Sequence, residues 1–168
     1  MKSGELWMIE LVGAATEVAH AMGLGAMQVI GRVAPPREAA GVYLPIVGRE
    51  GVALYVAWLA PGVGCEAMAR ALLGDLVAGP LSPGDVFDAM GEIVNIVAGA
   101  VKRRMRHADM SLALGLPIYA ATPIVPVGAR VQATCISCGG VDGFLVVIGN
   151  VGVEAWEAHP PLADVADE

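Results

Sequence analysis

Apolar residues are grouped along this chain in two ways, and the grouping predicts its elements. Residues 4–22 read as a helix, with Ser3 as N-cap and Gly23 and Gly25 ending it. Three short apolar, β-branched stretches follow: 26–34 (AMQVIGRVA), 42–47 (VYLPIV) and 52–59 (VALYVAWL). These predict strands, and the intervening GREG predicts a hairpin turn between the last two. A second helix is predicted over 62–78, where Glu66, Arg70 and Asp75 sit among Ala, Leu and Met, and a third over 83–106. Strands return at 121–127, 130–138 and 143–150, separated by Val-Gly-Ala and by Gly-Gly-Val-Asp-Gly.

The predicted order is helix, three strands, two helices, three strands. That is an α+β fold with helices packed on a largely antiparallel sheet. No G-x-G-x-x-G follows a predicted strand, and no P-loop motif occurs. The two halves look roughly alike, helix then strands, which suggests an old duplication. Its sequence trace is short: Gly4-Glu5-Leu6 resembles Gly91-Glu92-Ile93.

Composition narrows the class. The 168 residues fit one domain. Hydrophobic residues make up 56% and charged ones 16%, the opposite of a disordered chain. The net charge of −7 argues against nucleic-acid binding. The apolar excess predicts exposed contact surface, and a homodimer is the expected form. Residues 154–168 hold five acids and no Lys or Arg, which leaves residues 1–153 at −2. They read as a solvated acidic tail behind a folded domain of residues 1–153, with Pro160-Pro161 helping to end regular structure.

Glu10, Glu17 and His20 interrupt the first apolar stretch, and Pro61, Asp142 and Asn150 limit others. No run approaches the roughly 20 apolar residues of a membrane-spanning helix. Glu5 and Glu10 argue against a signal peptide. Three cysteines are too few, and odd in number, for a disulfide framework, so a cytoplasmic location is expected.

Cys135-Ile-Ser-Cys138 matches C-x-x-C, but its surroundings (VQATCISC) alternate as a strand does. Residues three apart on a strand point to opposite faces, so the pair can neither close a disulfide comfortably nor grip one metal ion. A redox pair would want a helix N-terminus, and Gly139-Gly140 follows instead. His20, His107 and His159 show no ligand spacing. Inert strand cysteines and no metal site are the expectation.

The third helix carries the most information. Ser82 can cap it, Pro83 suits its first position, and Asp85 stands where a capping-box acid stands. Lys102, Arg103, Arg104 and Arg106 match its negative C-terminal end. Val86, Met90, Ile93, Val97 and Val101 recur at three and four, with Phe87 and Val94 beside them, and predict the buried stripe. Asp88, Glu92, Asn95, Gly99, Lys102 and Arg106 form the opposite one. By periodicity alone this is a solvated helix face. Glu92 and Asn95 emerge side by side as i, i+3 neighbours. Gly99 has no side chain, although Gly in a helix interior costs about 1 kcal/mol relative to Ala. It leaves room for another backbone or helix to approach.

Asp88-x3-Glu92-x2-Asn95, followed about twenty residues later by Pro117, resembles the signature of the CheC/CheX/FliY family of chemotaxis phosphatases. The run GEIVNIVAGAVK is similar to the CheX form of that helix, and the order of elements fits the fold over nearly the whole chain. The resemblance implies a CheC/CheX-like α+β fold and removal of the phosphoryl group from the aspartate of a CheY-like receiver domain. It implies that Asn95 orients the attacking water and Glu92 engages the receiver's active-site lysine. Asp88, Gly99 and Pro117 would support the motif. Mg²⁺ would belong to the receiver, with no cofactor of the chain's own.

CheC-type members carry two such helices. Here the position matching Asn95 in the first helix is Met8 if Glu5 is aligned, or Gly13 if Glu10 is aligned. One site per subunit is therefore expected. Lys102, Arg103 and Arg106 are a candidate docking patch for an acidic receiver. Two alternatives stand beside the enzyme: a non-catalytic receiver-binding adaptor or flagellar-switch module on the same fold, and a redox or metal module built on Cys135 and Cys138.

Overall fold

The computed structural model describes residues 3–34, 36–48, 51–74, 79–106 and 111–149. The acidic tail, Pro160-Pro161, His107, His159 and the expected helix end at 75–78 lie outside the described residues, as does the side chain of Ser3. The chain runs α1 (Ser3–Ala21), β1 (Met27–Val33), β2 (Ala40–Gly48), β3 (Gly51–Ala60), α2 (Gly62–Leu73), α3 (Pro83–Met105), β4 (Ala113–Leu114), β5 (Ile118–Ala120), β6 (Arg130–Cys138) and β7 (Val141–Gly149).

Local chemistry sets the ends of these elements. After α1, the Gly23 N–H donates to His20 O at 3.1 Å and the Leu24 N–H to Ala19 O at 3.0 Å. With Gly23 at φ 75°, this is a Schellman ending. Gly139 and Gly140 both have positive φ and form the two-residue turn between β6 and β7.

All seven strands form one antiparallel sheet in the order β1-β6-β7-β3-β2-β4, with β5 also on β2. The halves interlock across it. Hairpin β2–β3 meets hairpin β6–β7 through the central β3–β7 pair. The leading strand of each half then crosses to the other half's hairpin, β1 to β6 and β4 with β5 to β2. The likeness of the halves is thus plainer in topology than in sequence.

The helices cover one face of the sheet. Leu11, Ala14, Ala15 and Val18 of α1 and Met90, Ile93, Val97 and Val101 of α3 share a core with Val42, Leu44, Val56, Trp58, Leu145 and Val147. Burying each such large aliphatic side chain contributes about 1.5–3 kcal/mol. Cys138 belongs to this core; Cys135, three residues earlier, does not, as strand alternation requires.

The opposite face gathers Tyr43, Tyr55, Ala57, Leu59, Ala133, Val146 and Ile148. Here one expectation fails. Residues 121–127 are not a strand; they run over this face without pairing. Pro123 and Pro126 have no N–H to give a ladder. Ile124 packs on the sheet, and its N–H donates to Tyr43 Oη at 2.9 Å. The strand forms just before, at Ile118–Ala120, and the two-residue β4 precedes it.

Among the described residues, no helix is long and apolar enough to cross a membrane.

Candidate functional site

α3 is held firmly at its start. The Ser82 Oγ accepts from the Asp85 N–H at 3.1 Å, and the Asp85 carboxylate accepts from the Ser82 N–H at 2.9 Å and from its hydroxyl at 2.7 Å. These donors hold the Asp85 carboxyl below the usual carboxylate range. Pro83 follows the cap. Met90, Ile93, Val94, Val97 and Val101 are buried as the apolar stripe requires, while Val86 and Phe87 are half-buried.

The other side of α3 faces outward. Asp88, Glu92 and Asn95 are all exposed, and among the described residues none of the three side chains has a hydrogen bond or ion pair. A carboxylate and an amide therefore stand next to each other, on a rigid helix, free to meet a second molecule.

A second wall stands opposite, and β2 explains its position. Pro45 offers no N–H along the edge of β2, and there β4 and β5 are interrupted. The Gly115 N–H donates to Pro45 O at 2.9 Å. A Cβ on Gly115 would lie 2.5 Å from Pro45 Cγ, so the crossing needs glycine. The connection then brings Pro117 to Gly91, where a Cβ would meet Pro117 Cβ and Cγ at 3.8 Å. Tyr119 packs on Phe87 with ring centroids 3.5 Å apart and planes tilted by 30°.

Between these walls lies a groove of about 430 Å³. Phe87, Asp88, Gly91, Glu92 and Asn95 line it from α3, Gly115, Leu116, Pro117 and Tyr119 from the other side, and Val42 from β2. Asp88, Glu92, Asn95 and Pro117 thus line one groove. Gly115, Leu116 and Tyr119 escape a reading based on helix periodicity. The only sequence signal for them is the G-x-P run beside β5.

Gly99 lies beyond the groove, one turn after Asn95, with Lys102, Arg103 and Arg106 further along the same side. Arg104 is set apart from that group. Its guanidinium reaches α1, donating to Glu10 at 3.2 Å and to Glu17 at 2.5 Å. It lies over Gly13, where a Cβ would sit 2.7 Å from its Nη1. These carboxylates raise the Arg104 pKa further.

On α1, both carboxylates that could align with Glu92 are engaged, Glu10 by Arg104 and Glu5 by Arg32 at 3.5 Å. Met8 is buried, and Gly13 lies under a guanidinium. The described part of α1 presents no second carboxylate–amide pair.

The cysteines behave as strand and helix residues. Cys65, Cys135 and Cys138 are all free thiols, and burial pushes Cys65 and Cys138 up in pKa, away from the reactive thiolate. Among the described residues, no group of three or more His, Cys, Asp or Glu is placed to hold a metal ion.

No protein-family model and no curated protein matches the chain. Solved structures do match it. The chemotaxis protein CheX from Vibrio vulnificus superposes with a TM-score of 0.69 at 15% identity, covering 84% of this chain and 97% of that one. A CheX–CheY–BeF3–Mg²⁺ complex from Borrelia burgdorferi matches with a TM-score of 0.60 at 15% identity, over 85% and 96% of the two chains. FliM in a FliM–SpeE complex from H. pylori matches at 0.61 and 10% identity, over 89% and 86%. The chain has the CheC/CheX-like α+β fold expected from its sequence.

Proposed function

We propose that this protein is a CheX-like phosphatase that hydrolyses the aspartyl phosphate of a CheY-like receiver domain. The observation that carries the reading is the pairing of Glu92 and Asn95. They project, without partners among the described residues, from a well-capped helix, beside a groove whose far wall holds Pro117. The fold shared with a CheX seen in complex with CheY supports the choice of partner.

The chemistry asks little of such a protein. An acyl phosphate has a good leaving group, and phosphoryl transfer depends on alignment and charge stabilisation. The receiver brings its own acids, lysine and Mg²⁺. Asn95 enters that site, and its amide oxygen accepts a hydrogen bond from the water, aiming it at phosphorus. An amide does this without titrating and from a fixed position. Glu92, one turn before, pairs with the receiver's lysine and fixes the docked orientation. Asp88 and Gly99 belong to the same face.

Lys102, Arg103 and Arg106 extend this face with positive charge in a chain of net charge −7. Among the described residues they have no acidic partner. They attract the acidic rim of a receiver and speed encounter. The protein acts in the cytoplasm, where receivers act, as a homodimer. β1 at the sheet edge exposes Val29, Ile30 and Val33, which is compatible with self-association.

The second reading is a non-catalytic adaptor, favoured by the likeness to FliM. Turnover separates the two. A phosphatase at a tenth of the receiver's concentration discharges the whole phosphorylated pool faster than its intrinsic decay. An adaptor leaves that decay unchanged or slows it.

A further inference from the structure

Among the described residues, nothing packed against Gly99 requires it to be glycine. It lies within α3 and has helical backbone, so positive φ does not require it. Gly13 and Gly64 are hemmed in, since a Cβ would lie 2.7 Å from Arg104 at Gly13 and 3.0 Å from Ala60 and Val141 at Gly64; Gly62 and Gly84 are open but stand in the first turn of their helices, and Gly91 meets Pro117 only at an ordinary 3.8 Å. Among the described residues, and apart from the helix's own backbone, the sole neighbour of a Cβ at Gly99 within 4 Å is the guanidinium of Arg103, at 3.8 Å, the movable end of an exposed side chain on the same helix. The fold would accept alanine there and be more stable for it, since glycine is among the worst residues inside a helix.

Its position on the helix is telling. At 3.6 residues per turn, Asp88, Glu92, Asn95, Gly99 and Arg106 fall on one narrow stripe, with Gly99 at its middle. The residue that should project furthest from the face therefore has nothing to project. Ile96, 39% exposed, flanks it on the Asn95 side, and Arg103 and Arg106 follow towards the C-terminus. The result is a notch where half-buried backbone, with the Arg103 guanidinium beside it, lies between an apolar shoulder and a cationic one, one turn from Asn95.

Resting on the function proposed above, we infer that Gly99 is the close-approach point of the receiver domain. A segment of the receiver's main chain crosses α3 at this notch, with an acidic surface beyond it over Arg103 and Arg106. Continuity with Glu92 and Asn95 puts the notch inside the same docking footprint. Charge complementarity between the cationic shoulder and the acidic mouth of a receiver sets the direction of crossing. Glycine is used where a partner's backbone must come nearer than a side chain permits. Gly99 is thus a specificity-determining and positioning residue, not a catalytic one.

The test compares wild type with Gly99→Ala and Gly99→Leu. The probes are the host's CheY-type receiver domains, phosphorylated with acetyl phosphate in Mg²⁺, and the readouts are KM, kcat and thermal midpoint. Both variants should melt higher than wild type. Gly99→Leu should raise KM for the receiver by about tenfold or more with kcat nearly kept, the pattern of lost uniform binding, and Gly99→Ala should fall between. A merely structural glycine would lower the melting point and leave KM alone. Wild-type KM in Gly99→Leu overturns the inference while leaving the phosphatase in place. If wild type itself neither accelerates decay nor binds any of these receivers, the proposed function fails and the inference fails with it.

Discussion

Gly91 on α3 faces Pro117 across the groove: a methyl group at residue 91 would rest 3.8 Å from Pro117 Cβ and Cγ. The two residues set the width of the groove beside Glu92, because α3 and the connection before β5 touch there without a side chain between them. A distance of 3.8 Å is ordinary contact, so Gly91→Ala should fit and stabilise α3 by up to about 1 kcal/mol. Gly91→Leu has no such room. It should displace Pro117 and lower receiver dephosphorylation by up to about 10²-fold, the scale of a site misplaced by an ångström. Melting curves and single-turnover rates for both variants check this.

Asp85 makes the start of α3 sensitive to acid. Its pKa is lowered in the folded state by the Ser82 hydroxyl and N–H. A lowered folded pKa means that the stabilisation is full above the carboxyl's ordinary, unfolded value. It is lost as pH falls through the lowered one. Asp85→Asn should therefore be less stable than wild type near neutrality, and the gap should close towards acid. Denaturant titrations of both proteins across that range measure it.

Tyr43 ties the crossing segment 121–129 to the sheet. Its hydroxyl accepts the Ile124 N–H, and burial pushes its pKa up to about 12. Tyr43→Phe keeps the ring but leaves that N–H without its acceptor, which should cost about 1–3 kcal/mol. Faster hydrogen exchange at the Ile124 amide than in wild type would accompany the loss of stability.

Much of this was legible in the sequence, for physical reasons that differ by element. α3 announces both its ends, through the Ser82–Asp85 box with Pro83 and through the late cations, and its apolar residues keep one period throughout. The faces of Cys135 and Cys138 follow from strand alternation alone. Residues 121–127 mislead because an apolar run that covers a sheet looks like one that joins it. Pro123 and Pro126 were the local sign against pairing. The far wall of the groove rests on Gly115 meeting Pro45, a contact across some 70 positions that no local pattern encodes. The diversion of Arg104 depends on Glu10 and Glu17 of α1, still more distant in sequence.

In the proposed mechanism Asn95 does the chemistry while the rest of the face does the docking. The direct measurement is the discharge rate of a phosphorylated receiver under saturating wild type and saturating Asn95→Ala, with binding to the receiver followed in parallel. The expected result is a loss on the order of 10²–10³ in rate, the cost of one well-placed transition-state contact, with binding retained. Equal rates for the two proteins, at equal binding, would contradict it.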